Sequence, residues 1–197
     1  MREHRIWLAC LGLVFFIGCH GGDVHEAVHD AAEDAHDAVT GEAHGEGTAR
    51  AIAAIEQKND SGVSGTATFQ ASGDQVMLTL SIAGATPGEH AFHLHEVGDC
   101  SAADGTSAGG HWNPTGQDHG KWGAEPFHLG DVANLEVGED GTGTLTVATN
   151  LWSLGSGDDN DVVGRSVIVH AGVDDFTTQP TGAAGGRIGC GVIRLAE

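Results

Sequence analysis

The chain has 197 residues, a formal net charge of −20, 32 glycines and no tyrosine. A surface this acidic repels a nucleic-acid duplex rather than gripping it, so nucleic acid is excluded as a partner. The length holds one domain of ordinary size plus appendages, and the glycine-rich composition points to short strands joined by turns.

Residues 1–19 read as an export signal. Arg2 and Arg5 precede an apolar run from Ile6 to Ile17 that is too short to span a bilayer as a stable anchor, and the run ends at Gly18-Cys19. A small residue directly before a cysteine at that point resembles a bacterial lipobox. On that resemblance Cys19 becomes the lipidated first residue of an exported, membrane-anchored lipoprotein, periplasmic or at the cell surface; the other outcome is simple cleavage near Gly18 or Gly21. Cys10 is discarded with the signal.

In residues 20–48 the composition shifts to Ala, Asp, Glu and His without large apolar residues, which describes a tether rather than core. A helix over 24–39 would bring His25, His29 and His36 into one stripe, since each residue advances about 100°. Such a stripe beside acids could take extra metal ions. A solvated spacer, partly helical or disordered, is the other reading of the same composition.

The folded domain is expected over 49–197. Alternating Val, Ile, Thr and Leu predict strands over 49–57, 63–71, 75–83, 89–96, 134–137, 143–149, 166–170 and 189–195. Turns fall at Asn59-Asp60-Ser61-Gly62, Ser72-Gly73-Asp74, Glu139-Asp140-Gly141 and 155–161. Eight strands with no convincing helix predict an all-β antiparallel sandwich or flattened barrel. A structureless insertion on the scale of 98–130 is uncommon and usually functional.

The chemistry gathers around His93-Leu94-His95. Successive strand residues alternate faces, so His93 and His95 share one face while Phe92 and Leu94 pack the other toward a core. His90 has the parity of Phe92 and reads as a hydrogen-bonded structural histidine. The first long loop then carries His111, His119, His128 and Asp131, nitrogen and oxygen donors that suit zinc, with neutral imidazole also suiting copper. His170 ends the apolar strand Val167-Ile168-Val169 and can supply a further ligand.

Four segments carry a resemblance: Gly88-Glu89-His90-Ala91-Phe92-His93-Leu94-His95-Glu96, Ala108-Gly109-Gly110-His111-Trp112-Asn113-Pro114, His128-Leu129-Gly130-Asp131 and Gly185-Gly186-Arg187-Ile188-Gly189-Cys190-Gly191-Val192. In order and without a missing segment, they resemble the motifs of copper-zinc superoxide dismutases. The resemblance implies a Greek-key, immunoglobulin-like barrel. It also implies copper on His93, His95, His111 and His170, and zinc on His111, His119, His128 and Asp131, with His111 bridging the two. Asp174 matches the carboxylate that links a copper histidine to a zinc histidine. Cys100 and Cys190 match the family disulfide, Thr181 and Arg187 match residues lining the mouth above copper, and Lys121 resembles basic residues that bacterial members carry in the first loop.

The implied activity is dismutation of superoxide to O2 and H2O2 by alternating reduction and reoxidation of the copper, with Arg187 guiding the anion. Arg187 and Lys121 must then outweigh a hostile net charge within about 8 to 10 Å, the reach of a charge at physiological salt. Part of the acidity sits in the tether. A homodimer is compatible with the family, whose animal and bacterial members pair through different surfaces. The runner-up function is a non-catalytic copper- and zinc-storage lipoprotein, which has no need of a cation above the copper; a copper chaperone of the same fold would be expected to lack copper ligands.

Overall fold

The computed structural model describes residues 49–197, and the expected leader and tether, Cys19 included, lie outside them. Nine strands follow in chain order: β1 Arg50–Gln57, β2 Ser64–Ser72, β3 Gln75–Ala83, β4 Gly88–His95, β5 Asp131–Val137, β6 Gly143–Thr149, β7 Ser166–His170, β8 Arg187–Val192 and β9 Arg194–Leu195. The hydrogen-bonded order β2-β3-β6-β5-β4-β7-β8-β1 closes on itself because β1 also pairs with β2, and the two-residue β9 is added along β1. The result is a closed, antiparallel eight-strand barrel of Greek-key type, as expected.

Two seams divide the barrel. β5 meets β6 only at Val137↔Gly143, and β1 meets β8 only at Glu56↔Cys190 and Gln57↔Gly189. Between the seams lie two well-paired halves, β1-β2-β3-β6 and β5-β4-β7-β8, which face each other across one core.

Side-chain alternation builds that core. β3 alternates strictly, burying Val76, Leu78, Leu80 and Ile82, while β1 and β2 contribute Ala51, Ala53, Ile55, Ala67 and Phe69. Each fully buried Leu, Ile or Phe contributes on the order of 1.5–3 kcal/mol. β4 and β7 depart from this pattern. Every residue from His90 to His95 and from Ser166 to His170 is buried. Phe92, Leu94, Val167 and Val169 enter the main core, whereas Ile168 points outward into a satellite cluster with Ala108, Cys190 and Cys100. These strands are therefore covered on both faces, by core on one and by the first long loop on the other.

Three strand boundaries differ from expectation by two residues or more, the others by at most one. β5 begins at Asp131 rather than at 134, so Asp131 is a strand residue. Its pairing with β4 slips between Phe92↔Ala133 and His93↔Asp131, and that irregularity hides the continuation from any period-two reading. β8 begins at Arg187 rather than 189, paired with His170 across a second slip between Val169 and His170. It ends at Val192 because Ile193 turns into the core and donates its N–H to Arg165 O at 2.9 Å, which separates β9. Residues Thr106–Ala108 also form a single 3-10 turn in the first loop. Both register slips fall at candidate metal ligands, where a bulge re-aims a side chain.

Candidate metal centre

The strand parity expected for His93 and His95 is observed, and both rings lie fully buried on the loop side of β4. His170, at the end of neighbouring β7, places its ring centroid 5.0 Å from that of His93 and 5.6 Å from that of His95. His111 arrives from the first loop through an isolated antiparallel bridge to His95. Its neighbour Trp112 inserts into the main core and donates its backbone N–H to Leu94 O at 2.9 Å, so the loop is locked to the strand where it matters. Gly130 permits this: a Cβ there would run into Leu94 O, between the strand and Trp112.

The hydrogen bonds fix which nitrogen of each ring faces inward. His93 donates from Nε2 to Asp174 Oδ2 at 2.8 Å, His95 from Nδ1 to Gly109 O at 3.0 Å, and His170 from Nδ1 to Gly185 O at 3.2 Å. The opposite atoms, His93 Nδ1, His95 Nε2 and His170 Nε2, are buried without a hydrogen-bond partner, and so is His111 Nε2. These four nitrogens lie within 4.8 Å of one another. Leaving a buried acceptor unsatisfied costs roughly 1–3 kcal/mol each, so four converging lone pairs describe the inside of a cation site.

A second set shares His111. The Nδ1 atoms of His111, His119 and His128 lie 2.8, 3.0 and 3.1 Å from one atom, Asp131 Oδ1. His119 already donates from Nε2 to Asp174 Oδ1 at 2.9 Å, so in the neutral ring its Nδ1 turns a lone pair toward a carboxylate. A cation between them makes that arrangement favourable. Three nitrogens and one oxygen are a donor set suited to a tetrahedral ion. Asp174 thus ties one ring of each set together, and Asn134 clamps its main chain reciprocally, at 2.8 and 3.0 Å. Gly182, at φ +63°, leaves the space the Asp174 carboxylate fills.

Burial favours the neutral form of four of these rings, His93, His95, His128 and His170. It pushes His93 and His95 well below the ordinary value, with His111 and His170 adding to the effect, and it lowers His170 to about 4. His128 is lowered by burial as well. For Asp131 burial acts in the opposite direction, but the His111 imidazole and the backbone N–H groups of His128 and Gly120 hold the carboxyl well below its usual range. Metal binding through these four rings therefore displaces few protons at neutral pH, whereas a His111 ring shared through both nitrogens must give up its N–H proton.

Other expected residues also find their places. His90 is buried, donating toward His170 O at 2.8 Å from Nδ1 and facing Thr86 O at 2.8 Å with Nε2, the structural role expected of it. Cys100 and Cys190 form a disulfide with Cα atoms 5.8 Å apart. Arg187 is half-buried and donates to Gly105 O and Gly109 O at 2.7 and 2.6 Å. Thr181 lies half-buried in the β7–β8 loop. Lys121 is exposed with its ammonium 5.8 Å from the Phe176 ring centroid, in a groove with Glu89, Trp122 and Asn134. Sequence reasoning missed Asn134, Gln179 and Lys58. Lys58 is 7% exposed and donates to Cys100 O at 2.6 Å, where a lysine in a turn would be expected in water.

Two comparisons bear on this geometry. The family model for copper/zinc superoxide dismutase matches residues 63–193. The clock protein EA4, known from a crystal structure analysis, is 33% identical over 76% of this chain and 96% of its own, with a TM-score of 0.68. The matched span contains both donor sets in full, and a closed Greek-key barrel carries them. The chain belongs to the copper/zinc superoxide dismutase family, whose metals are copper and zinc.

Proposed function

We propose that the protein dismutes superoxide to O2 and H2O2, with copper on His93, His95, His111 and His170 and zinc on His111, His119, His128 and Asp131. The single observation that carries this reading is the His111 ring, one of whose nitrogens belongs to each donor set. Four imidazoles suit copper, and a mixed nitrogen and carboxylate set suits zinc. Copper bound there would supply one-electron chemistry, accepting an electron from one superoxide, which leaves as O2, and returning it to a second, which takes two protons from solvent and leaves as H2O2.

The chain's own residues do the rest. Gly109 O, Gly185 O and Asp174 fix the tautomers of His95, His170 and His93, so the inward nitrogens need no reorganisation. His111 can hold a proton at Nε2 while Nδ1 remains engaged on the zinc side. Arg187 offers a permanent cation beside His95 and His170, oriented by its two carbonyl partners, and draws a small anion against the net charge. The same reading puts the protein in an oxidising compartment, supported by the Cys100–Cys190 disulfide and by the signal-like start of the sequence.

The test is superoxide dismutation by the full chain loaded with copper and zinc, beside His170→Ala. Fast turnover in the parent and its loss in the variant support the enzyme. A parent that holds both metals stoichiometrically yet turns over no faster than the buffer control replaces the enzyme with the storage reading.

A further inference from the structure

His119 differs from its partners in the second donor set. The main chain of His111 is held by its bridge to His95, and His128 donates its N–H to Asp131 Oδ2 at 2.8 Å. His119 is 2% exposed, and among the described residues no backbone–backbone hydrogen bond reaches it. Its own N–H and carbonyl are held instead by one side chain from 60 residues away: the His119 N–H donates to Gln179 Oε1 at 2.8 Å, and the His119 carbonyl accepts from Gln179 Nε2 at 2.9 Å. Both polar ends of an amide are used on one residue, as a neighbouring strand would use its own peptide group.

The cost of this arrangement is informative. Gln179 is exposed, and a free glutamine there would keep its rotamer freedom and its water. Holding it still is worthwhile only if what it holds would otherwise move. The same β7–β8 loop also grips the His119 ring, through Asp174 Oδ1 at 2.9 Å from Nε2. One loop therefore sets the backbone and the tautomer of one ligand.

We propose that Gln179 is a positioning residue for zinc retention: it fixes the main chain of His119 so that Nδ1 stays aimed into the donor set, and zinc escapes when Gln179 releases that main chain. The inference rests on the zinc assignment made above. His119 is the point at which the set opens, because once the amide lets go its own N–H and carbonyl have no other protein partner among the described residues, and only the following N–H, that of Gly120, still donates to Asp131 Oδ2 at 3.0 Å.

The experiment uses the full chain loaded with copper and zinc. Release of each metal to a chromogenic chelator is followed separately in the parent, in Gln179→Ala and in Gln179→Glu. Zinc release is expected to accelerate roughly 10- to 100-fold in both variants, the usual effect of losing an outer partner of a ligand. Copper release is expected to stay at the parent's rate. The glutamate variant is nearly isosteric and keeps the acceptor for the His119 N–H, but it sets an oxygen against the His119 carbonyl. A residue that merely fills space would be rescued by glutamate, and this one is expected to fail with it.

Zinc release at the parent's rate in either variant overturns the inference. So does equal acceleration of both metals, which would mark a general loosening of the loop. A parent that takes up no zinc overturns the zinc assignment itself and the inference with it, whereas a zinc-holding parent with unaltered variants removes the inference alone. Because position 179 is exposed, neither substitution empties the core.

Discussion

His95 and His111 face each other across an isolated antiparallel bridge, with ring centroids 5.1 Å apart. The first long loop departs from β4 and returns to it at once, with Glu96 N–H donating to Gly110 O at 3.0 Å. A loop histidine is thereby placed with the accuracy of a strand residue. Substituting His111 removes a donor from each set. Zinc retention and dismutation are both expected to fall by more than the roughly 100-fold that loss of an outer partner costs. His119→Ala, by comparison, leaves the copper set complete and should retain copper. Metal content and dismutation rates of the two variants check this, and a His111→Ala protein holding both metals as tightly as the parent contradicts the shared-ligand reading.

Asp174 accepts from His93 at 2.8 Å and from His119 at 2.9 Å. In Asp174→Asn one acceptor becomes an NH2 group, which meets a ring N–H donor to donor. Metal affinity is expected to fall roughly 10- to 100-fold. Competition titrations against chelators of known affinity measure it, and parental affinity for both metals would count against the linking role.

Arg187 is fixed between Gly105 O and Gly109 O, and Gly109 O also orients His95. Arg187→Ala should lower kcat/KM by about tenfold and flatten its dependence on ionic strength, because the guiding charge is gone. Arg187→Lys keeps the charge but loses the fork, and should fall between. Dismutation kinetics at low and physiological salt separate the three, and an unchanged salt dependence in Arg187→Ala would rule out guidance.

In the metal-free protein burial lowers His170 to about 4 and His93 and His95 well below the ordinary 6.5. As pH falls below 6.5 the unfolded chain takes up these protons before the native state does. Stability present above that value is therefore lost progressively as pH drops through the native values. His170 alone is worth roughly 3 kcal/mol over this window, at about 1.4 kcal/mol per pH unit. The urea midpoint of the metal-free protein should decline from pH 7 to 4, and bound metals should delay the decline by occupying the nitrogens. A flat midpoint across that range would be inconsistent with neutral buried imidazoles.

The Cys100–Cys190 disulfide joins positions 90 residues apart. A closed loop of that size restricts the unfolded chain by on the order of 4–5 kcal/mol. The bridge also pins the segment whose carbonyls hold Arg187 and Lys58. Reduction is expected to lower Tm by many degrees and to weaken dismutation at constant metal content. Thermal denaturation and rates with and without reductant test this, and an unchanged Tm would dismiss the bridge as a stabiliser.

The sequence by itself determined the local geometry. Period-two alternation placed the strands within a few residues, and parity put His93 and His95 on one face with Phe92 and Leu94 on the other, because side-chain direction along a strand is set by neighbouring residues alone. Loop composition offered the remaining donors as candidates, and motif resemblance sorted them into two sets. The tertiary structure alone decided what depends on contacts between distant positions. Asp131 proved to be a strand residue because β5 pairs with β4 through a slip that breaks alternation. Lys58 is buried because the first loop folds over it, and a lysine in a turn carries no signal of that. Asn134 clamps Asp174 across 40 residues and Gln179 holds His119 across 60, through paired side-chain hydrogen bonds that impose no period on the chain and leave no trace in it.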